Sequence, residues 1–300
     1  MKSIKVILII SAIAAMLAGC SDTSPIAPTN IFPSQSTAQE MILPTSTLTS
    51  TSTPMPTVSR LESEARVEEL LANNEGCMLP CVWGIVPGES LYSDARHFFE
   101  SLGWKGSETY GFYETGKDIQ SYSIVLNVGV YTSNDVVEKV HIAIGGKDFL
   151  RKVKYFSFEN VFKLHGKPSE ILVFIGISPG ILEPDRTSFD LLLYYKTENT
   201  LIEYVGTAVR HADSYRICPS QPNAESLAVD PLSGNVSIYT GVANRGDTPQ
   251  ELVRPFWVLP DYYISTEKAF GIGVDDFYKM TSQNNGNVCF DSPLLAWQRE

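Results

Sequence analysis

The chain has few basic residues for its length and lacks several signatures that would assign an activity. Its 300 residues include 23 Lys or Arg against 34 Asp or Glu, which gives a formal net charge of −11 at pH 7. An acidic chain repels nucleic-acid phosphates, so we expect no nucleic-acid partner. A His-Glu-x-x-His zinc motif and a complete P-loop ending in Lys-Ser or Lys-Thr are both absent. We therefore assign no catalytic residue, no metal and no cofactor.

Long hydrophobic runs are also scarce. The longest run near the N-terminus extends over about 12 residues, from Val6 to Leu17, well short of the roughly 20 residues that a bilayer-spanning helix needs. Lys2 and Lys5 precede the run, and small residues follow it. A basic head, a short apolar core and a small-residue cleavage site are typical of an export signal. The sequence therefore predicts a signal peptide over residues 1–19.

The end of this signal, Leu17-Ala18-Gly19-Cys20, resembles the lipobox of bacterial lipoproteins. In that family the cysteine is diacylated through its thiol, and the signal is cleaved just before it. The resemblance implies that Cys20 carries lipid and that the bilayer is a partner of the protein through these acyl chains. Two or three acyl chains hold a protein stably on a membrane. We expect an extracytoplasmic protein, lipid-anchored to the bacterial cell membrane at the cell surface or in the periplasm.

Four further cysteines remain if Cys20 is lipidated. An even number of cysteines in an oxidising compartment favours disulfides. We predict the pairs Cys77–Cys81 and Cys218–Cys289, because the first is local and the second would join the C-terminal segment to the body of the domain. A zinc site with four thiolates is the alternative, although such sites usually contain two closely spaced cysteine pairs.

Residues 20–59 follow the signal and have the composition of a stalk. Residues 21–59 contain 9 Thr, 8 Ser and 6 Pro, and their only charges are Asp22 and Glu40. Such a segment cannot bury enough apolar surface to offset the entropy cost of ordering it. We predict a disordered linker, with O-glycosylation or a short docking segment as further hypotheses.

Periodicity after residue 60 predicts an α+β fold made of two tandem two-layer units, each with a helix on an antiparallel sheet. The first unit spans residues 60–150 and the second residues 151–212; a mixed segment of strands and helices, residues 213–300, packs on the same body. The predicted helices lie at 60–76, 91–102, 158–164, 265–270 and 274–282, and a Gly-rich loop follows the second of them. Ser59 and Glu62 have the spacing of a capping box, and Thr248-Pro249-Gln250-Glu251 predicts a helical turn. We expect Trp83 to be buried in the core and His165 to be an imidazolium at a helix end. The predicted strands lie at 122–131, 136–144, 170–175, 188–195, 201–209, 227–232 and 236–242.

Two resemblances accompany this pattern. Val161, Leu164, Gly166, Pro168 and the apolar positions of 170–175 resemble the SmpA/OmlA family of outer-membrane lipoproteins, which implies two helices on a three-stranded sheet. The segment Cys-x-Leu-Pro-Cys-x-Trp-Gly-x-x-Pro-Gly at residues 77–88 resembles uncharacterised bacterial surface lipoproteins. That second resemblance extends over most of 60–300 and implies no activity.

Candidate functional groups in the folded part are sparse. His211 and Asp213 form the single near-neighbour pair of a histidine and a carboxylate, which a general base would need. Adjacent tyrosines at 194–195 and 262–263 should each expose one ring if they lie in strands, because neighbouring strand residues point to opposite faces. The alternative is a well-filled core with tyrosines at its rim. We expect a non-catalytic binding or scaffold domain, monomeric, with a protein or saccharide partner. The alternative is a cell-envelope hydrolase acting on glycan or peptide.

Overall fold

The computed structural model describes residues 58–104, 107–109, 112–119, 124–146, 153–176, 185–220, 235–254 and 256–297. The predicted signal peptide, Cys20, nearly all of the stalk and the predicted strand at 227–232 lie outside the described residues. In the part of the chain that is described, no helix is long and apolar enough to span a bilayer.

Eleven strands among the described residues form one antiparallel sheet. The order is β1-β2-β3-β4-β9-β7-β6-β5-β10, and β8 pairs with both β7 and β11. The strands are β1 Ser107–Thr109, β2 Phe112–Ile119, β3 Ile124–Ser133, β4 Val136–Gly146, β5 Glu170–Gly176, β6 Arg186–Tyr195, β7 Thr200–His211, β8 Ser214–Ile217, β9 Asn235–Gly241, β10 Ile264–Ser265 and β11 Phe290–Pro293. With the helices below, this confirms the predicted α+β class with antiparallel sheet.

The strands of both predicted units belong to this one sheet. Strands β1–β4 follow one helix, and β5–β7 follow another, as the repeated pattern predicts. Strand β9 comes from the C-terminal segment and pairs with β4 on one side and β7 on the other. The two groups of strands are therefore joined through a third segment of the chain.

Several of the helices begin or end at recognisable capping residues. The helices are α1 Arg60–Asn73, α2 Tyr92–Ser101, α3 Phe158–His165, α4 Pro249–Val253, α5 Thr266–Phe270 and α6 Val274–Gln283. Of these, α2 and α6 have no side-chain N-cap. Ser59 and Glu62 form the predicted capping box of α1, in which each side chain bonds the backbone of the other residue. Ser157 caps α3, and Gly166 ends it with a positive φ of 71° that glycine adopts readily. Short 3₁₀ turns lie at Asn74–Gly76 and Leu294–Trp297.

The main core lies on the first face of the sheet. Leu191, Leu193 and Ile202 point to this face with alternate residues of the neighbouring strands, and they belong to one continuous cluster with helices α1, α2, α3 and α6. Trp83 is 1% exposed in this core, which confirms its predicted burial. The buried Asn74 side chain fixes the start of segment 77–88, because its amide donates to the carbonyl oxygens of Cys77 and Cys81.

Both predicted disulfides are present. Cys77 and Cys81 close the turn after α1, with their Cα atoms 5.7 Å apart. The second disulfide joins Cys218 to Cys289, which are 71 positions apart in the sequence. This bond lies next to the β8–β11 ladder, in which Phe290 pairs with Ile217. The four thiols are therefore paired with one another, which leaves none for the alternative zinc site.

A second, smaller core covers part of the other face of the sheet. Leu192, Tyr194 and Leu201 point to this second face and pack against Leu252 and Val253 of α4. We call residues 249–254 and 256–263, which contain α4 and lead to β10, the strap. Tyr194 and Tyr195 are 4% and 2% exposed. The prediction that one of this pair is exposed is wrong, because helices cover one face of the sheet and the strap covers the other.

Candidate functional site

Two carboxyl groups lie together on the second face of the sheet. Asp190 of β6 pairs with Val205 of β7, and Leu192 pairs with Glu203. Glu203 is therefore the diagonal neighbour of Asp190 across the two strands. Diagonal neighbours in an antiparallel pair are about 7–8 Å apart, within reach of longer side chains.

Glu203 is almost completely buried, at 7% exposure. Its carboxyl group is hydrogen-bonded to the side chains of Ser237 and Tyr239 on the neighbouring strand β9. Burial, with a further contribution from the charge of Asp190, raises the pKa of Glu203 to about 8. The carboxyl group is therefore mainly protonated at neutral pH.

Asp190 is partly buried beside the last residues of the strap. The Tyr263 hydroxyl donates a hydrogen bond to Asp190 Oδ2 at 3.0 Å. Burial raises the pKa of Asp190 to about 6, and the Tyr263 hydrogen bond opposes this shift. Across the described ranges, no Lys or Arg forms an ion pair with Asp190 or Glu203.

Aromatic rings lie beside Asp190, on the third strand from the β10 end of the sheet. Phe174 of β5 lies directly opposite Asp190 in the ladder. The Phe174 ring centroid is 4.2 Å from that of Tyr262 and 5.7 Å from that of Tyr263. Tyr262 is 39% exposed, so the group reaches solvent. We call Phe174, Asp190, Glu203, Tyr262 and Tyr263 the acid–aromatic cluster.

His141 extends the polar part of this face to strand β4. Its ring stacks on Tyr239 with the centroids 4.3 Å apart, and the Phe256 ring lies 5.3 Å away. Burial lowers the pKa of His141 to about 4, so the imidazole is neutral at pH 7. Its Nε2 atom is buried and has no hydrogen-bond partner in the described part of the chain.

The strap is fixed in place by its own capping residues and by Lys139. Thr248 and Glu251 form a capping box, and Pro249 occupies the first turn of α4. The Lys139 ammonium group donates to the carbonyl oxygens of Glu251 and Arg254, the latter at 2.9 Å. A lysine at this end satisfies carbonyl groups that a helix leaves without partners.

The predicted pair His211 and Asp213 lies elsewhere, at the exposed turn between β7 and β8. The backbone carbonyls of the pair accept hydrogen bonds, His211 from Ser214 Oγ and Asp213 from the Leu294 amide. In the described residues, neither side chain forms a hydrogen bond that would orient the imidazole as a base. The turn therefore does not supply the geometry of a catalytic pair.

Burial and local contacts account for three further titratable residues, His165, Asp275 and Asp276. The prediction that His165 is a charged residue at the helix end is wrong. Burial lowers the pKa of His165 to about 4, and its ring lies near the Tyr155 and Tyr195 rings. Asp275 and Asp276 begin α6, and Lys167 donates to Asp275 at 2.6 Å. Clusters of three or more His, Cys, Asp or Glu that could hold a metal are absent from the described residues.

Three segments have the spacing of known motifs without their structural context. Gly176-Ile177-Ser178-Pro179-Gly180 has the spacing of a nucleophile elbow, but β5 before it is antiparallel, and the next described element is strand β6. Gly111 to Lys117 has P-loop spacing, but Asp118 replaces Ser or Thr and residues 112–119 are a strand. Ser265 lies three residues before Lys268, and it caps α5.

Comparisons with known proteins add little. No protein-family model matches the chain, and no curated protein is similar to it. Among solved structures, the chain is similar to the crystal structure of YjgB, a DUF4309 family protein from Bacillus subtilis subsp. subtilis str. 168, at 13% sequence identity. The match covers 59% of this chain and 98% of that chain, with a TM-score of 0.27. This likeness is too weak to support an argument about fold or function.

Proposed function

We propose that the protein is a membrane-anchored extracytoplasmic lipoprotein that presents a non-catalytic binding domain on a flexible stalk. The sequence Leu17-Ala18-Gly19-Cys20 and the Ser/Thr/Pro-rich stalk support the anchored part of this proposal. The two disulfides also support it, because disulfides persist in oxidising compartments outside the cytoplasm.

The acid–aromatic cluster is the observation that carries the binding function. Partly exposed aromatic rings beside a carboxylate offer apolar contact area and a fixed polar contact in one place. The strap and the sheet hold these groups in position before any ligand arrives, through the Tyr263–Asp190 hydrogen bond and the Phe174–Tyr262 contact. A preorganised site loses less conformational entropy on binding.

The anchor is tested by Cys20→Ala in the full chain. We expect the variant to be released from membranes or to accumulate as an unprocessed precursor, because the thiol that takes the lipid is gone. Membrane fractionation and metabolic labelling with a fatty acid measure this, with Cys20→Ser as a second variant. Unchanged processing and membrane retention would contradict the lipoprotein proposal.

The second candidate function is a cell-envelope hydrolase acting on glycan or peptide, and the carboxyl pair favours it. Two carboxyl groups with different raised pKa values are the pattern of an acid and a base in glycoside hydrolysis. Against this function, Glu203 is enclosed and hydrogen-bonded to Ser237 and Tyr239, where a substrate does not reach it.

One experiment distinguishes the two functions. The immobilised full chain is incubated with purified envelope glycan and peptide, and both retention and cleavage are measured. A binding domain should retain material without cleavage and lose retention in Phe174→Leu and Tyr262→Leu. Cleavage that disappears in Glu203→Gln would instead establish the hydrolase.

A further inference from the structure

The outer part of the acid–aromatic cluster combines a carboxylate with aromatic rings in a way that suits a positive charge. Among the described residues, Asp190 has one hydrogen-bond donor, the Tyr263 hydroxyl on Oδ2. Within the same ranges, no basic side chain contributes to the pKa of Asp190 or of Glu203. The two carboxyl groups therefore share a partly buried face, and no cation is paired with them in the described residues.

Three aromatic rings lie near Asp190, those of Phe174, Tyr262 and Tyr263. Phe174 lies opposite Asp190 across the β5–β6 ladder. The Tyr262 and Tyr263 rings are nearly parallel, 19° apart, with their centroids separated by 5.8 Å. Aromatic faces attract cations within about 6 Å, and the attraction increases when the cation is desolvated.

Charge complementarity decides between an ammonium group and a neutral sugar. A neutral sugar can stack on the rings, but it leaves the carboxylate without a counter-ion in a partly buried place. A cation offsets that cost and contacts the ring faces at the same time. The net charge of −11 also attracts cations to the molecule as a whole.

We propose that the acid–aromatic cluster binds an organic ammonium group, with Asp190 as counter-ion and the rings of Phe174, Tyr262 and Tyr263 in contact with the ligand. This rests on the proposed binding function and names its ligand class. The ammonium group can belong to a free small molecule or to a lipid headgroup. Because a bound cation stabilises ionised carboxyl groups, binding should release protons near pH 7.

Calorimetry of the full chain in maltoside detergent tests this, with choline chloride as the probe. The neutral analogue 3,3-dimethylbutan-1-ol has the same shape without the charge. We expect choline to bind with proton release, detected as a heat that depends on the buffer, and the neutral analogue to bind about tenfold more weakly or not at all. Comparing choline with a short-chain phosphatidylcholine below its micelle concentration distinguishes a free small molecule from a lipid headgroup. Tighter binding of the lipid indicates a headgroup ligand.

Substitutions within the acid–aromatic cluster, with a matched control, test whether choline binds at this site. Asp190→Asn preserves an acceptor for the Tyr263 hydroxyl and should weaken choline binding about tenfold. Tyr262→Leu should weaken it several-fold, whereas Asp276→Asn, the same chemical change on an exposed helix start, should leave it unchanged. Thermal unfolding of each variant shows that it is folded.

Absence of choline binding by the folded wild-type chain would overturn this inference. Equal binding of choline and its neutral analogue would overturn it as well, because the site would then recognise only apolar shape. Neither result contradicts the proposed function if envelope material is still retained through Phe174 and Tyr262. Loss of that retention would instead overturn the proposed function.

Discussion

Asp190 and Glu203 are the two residues on which the proposed ligand site depends most. Each is a single acid between apolar neighbours, Phe189-Asp190-Leu191 and Ile202-Glu203-Tyr204. Separated by 13 positions, they become neighbours only through the β6–β7 register. The available signal was an acid at an otherwise apolar position of a strand that is buried on both faces. The sequence does not show that the strap covers the second face, so such an acid is interpreted as solvent-exposed.

Individual residues with local roles were predictable from the sequence. The capping box at Ser59 and Glu62, the burial of Trp83 and the disulfide between Cys77 and Cys81 are all confirmed. They depend on neighbours a few positions away or on simple burial. His165 was predicted wrongly because tertiary packing against Tyr155 and Tyr195 determines its charge.

Substitution of Glu203 by Gln should change how stability depends on pH. The folded state raises the pKa of Glu203 from 4.5 to about 8. Its contribution to stability is therefore complete below about pH 4.5 and is lost as the pH rises to about 8, with a slope of about 1.4 kcal/mol per pH unit. Urea unfolding from pH 5 to pH 9 should show this decline in the wild type and a flatter profile in Glu203→Gln.

The matched control is Glu170→Gln, which makes the same change at an exposed position on β5. It should leave the profile of the wild type unchanged. The role of Glu203 is contradicted if its variant retains the full decline above pH 6, where Asp190, with a pKa of about 6, contributes progressively less.

At the scale of elements, the strap determines what the second face of the sheet can do. It covers Leu192 and Leu201, brings Tyr263 to Asp190 and is held by Lys139. The capping spacing Thr248-Pro249-Gln250-Glu251 predicts a helical turn, and α4 confirms it. The side of the sheet on which this turn packs depends on contacts more than 100 positions away, such as that of Lys139, and local patterns do not contain this information.

Lys139→Met should loosen the strap without unfolding the domain. The ammonium group donates to two carbonyl oxygens at the end of α4, and methionine keeps most of the apolar stem while removing those bonds. We expect faster amide hydrogen exchange confined to residues 249–263, with the first-face core unchanged. Lys268→Met, an exposed lysine on α5, is the control. Uniformly faster exchange would show that Lys139 supports the whole fold instead.

At the scale of the whole molecule, one sheet joins segments that are far apart in the sequence. Helices α1–α3 and strands β3–β7 were predicted close to their observed positions, because each carries its own periodicity and turn residues. Strands β1, β2, β8, β10 and β11 are not among the predicted strands. β1 and β2 lie where the sequence suggested a loop. β8 is a four-residue strand that forms a hairpin with β7, and β11 is a four-residue strand whose partner β8 lies far away in the sequence.

The Cys218–Cys289 disulfide should contribute strongly to the stability of this arrangement. It closes a loop over 71 positions, for which the chain-entropy model gives about 4 kcal/mol. The double variant Cys218→Ser/Cys289→Ser should lower the free energy of unfolding by about this amount. The Cys77→Ser/Cys81→Ser variant, whose loop is short, should lose about 2 kcal/mol. Equal losses in the two variants would contradict the loop-length argument.

Two carboxyl groups share the second face of the sheet, and no cation is paired with them in the described residues. Carbon-13 NMR titration tests this most directly, by following the aspartate and glutamate carboxyl groups in the full chain. Assigned signals should show Asp190 titrating near pH 6 and Glu203 near pH 8. Both midpoints should move to lower pH when choline is added. Titration of both groups near pH 4, with no response to choline, would contradict the acid–aromatic cluster as a preorganised ligand site.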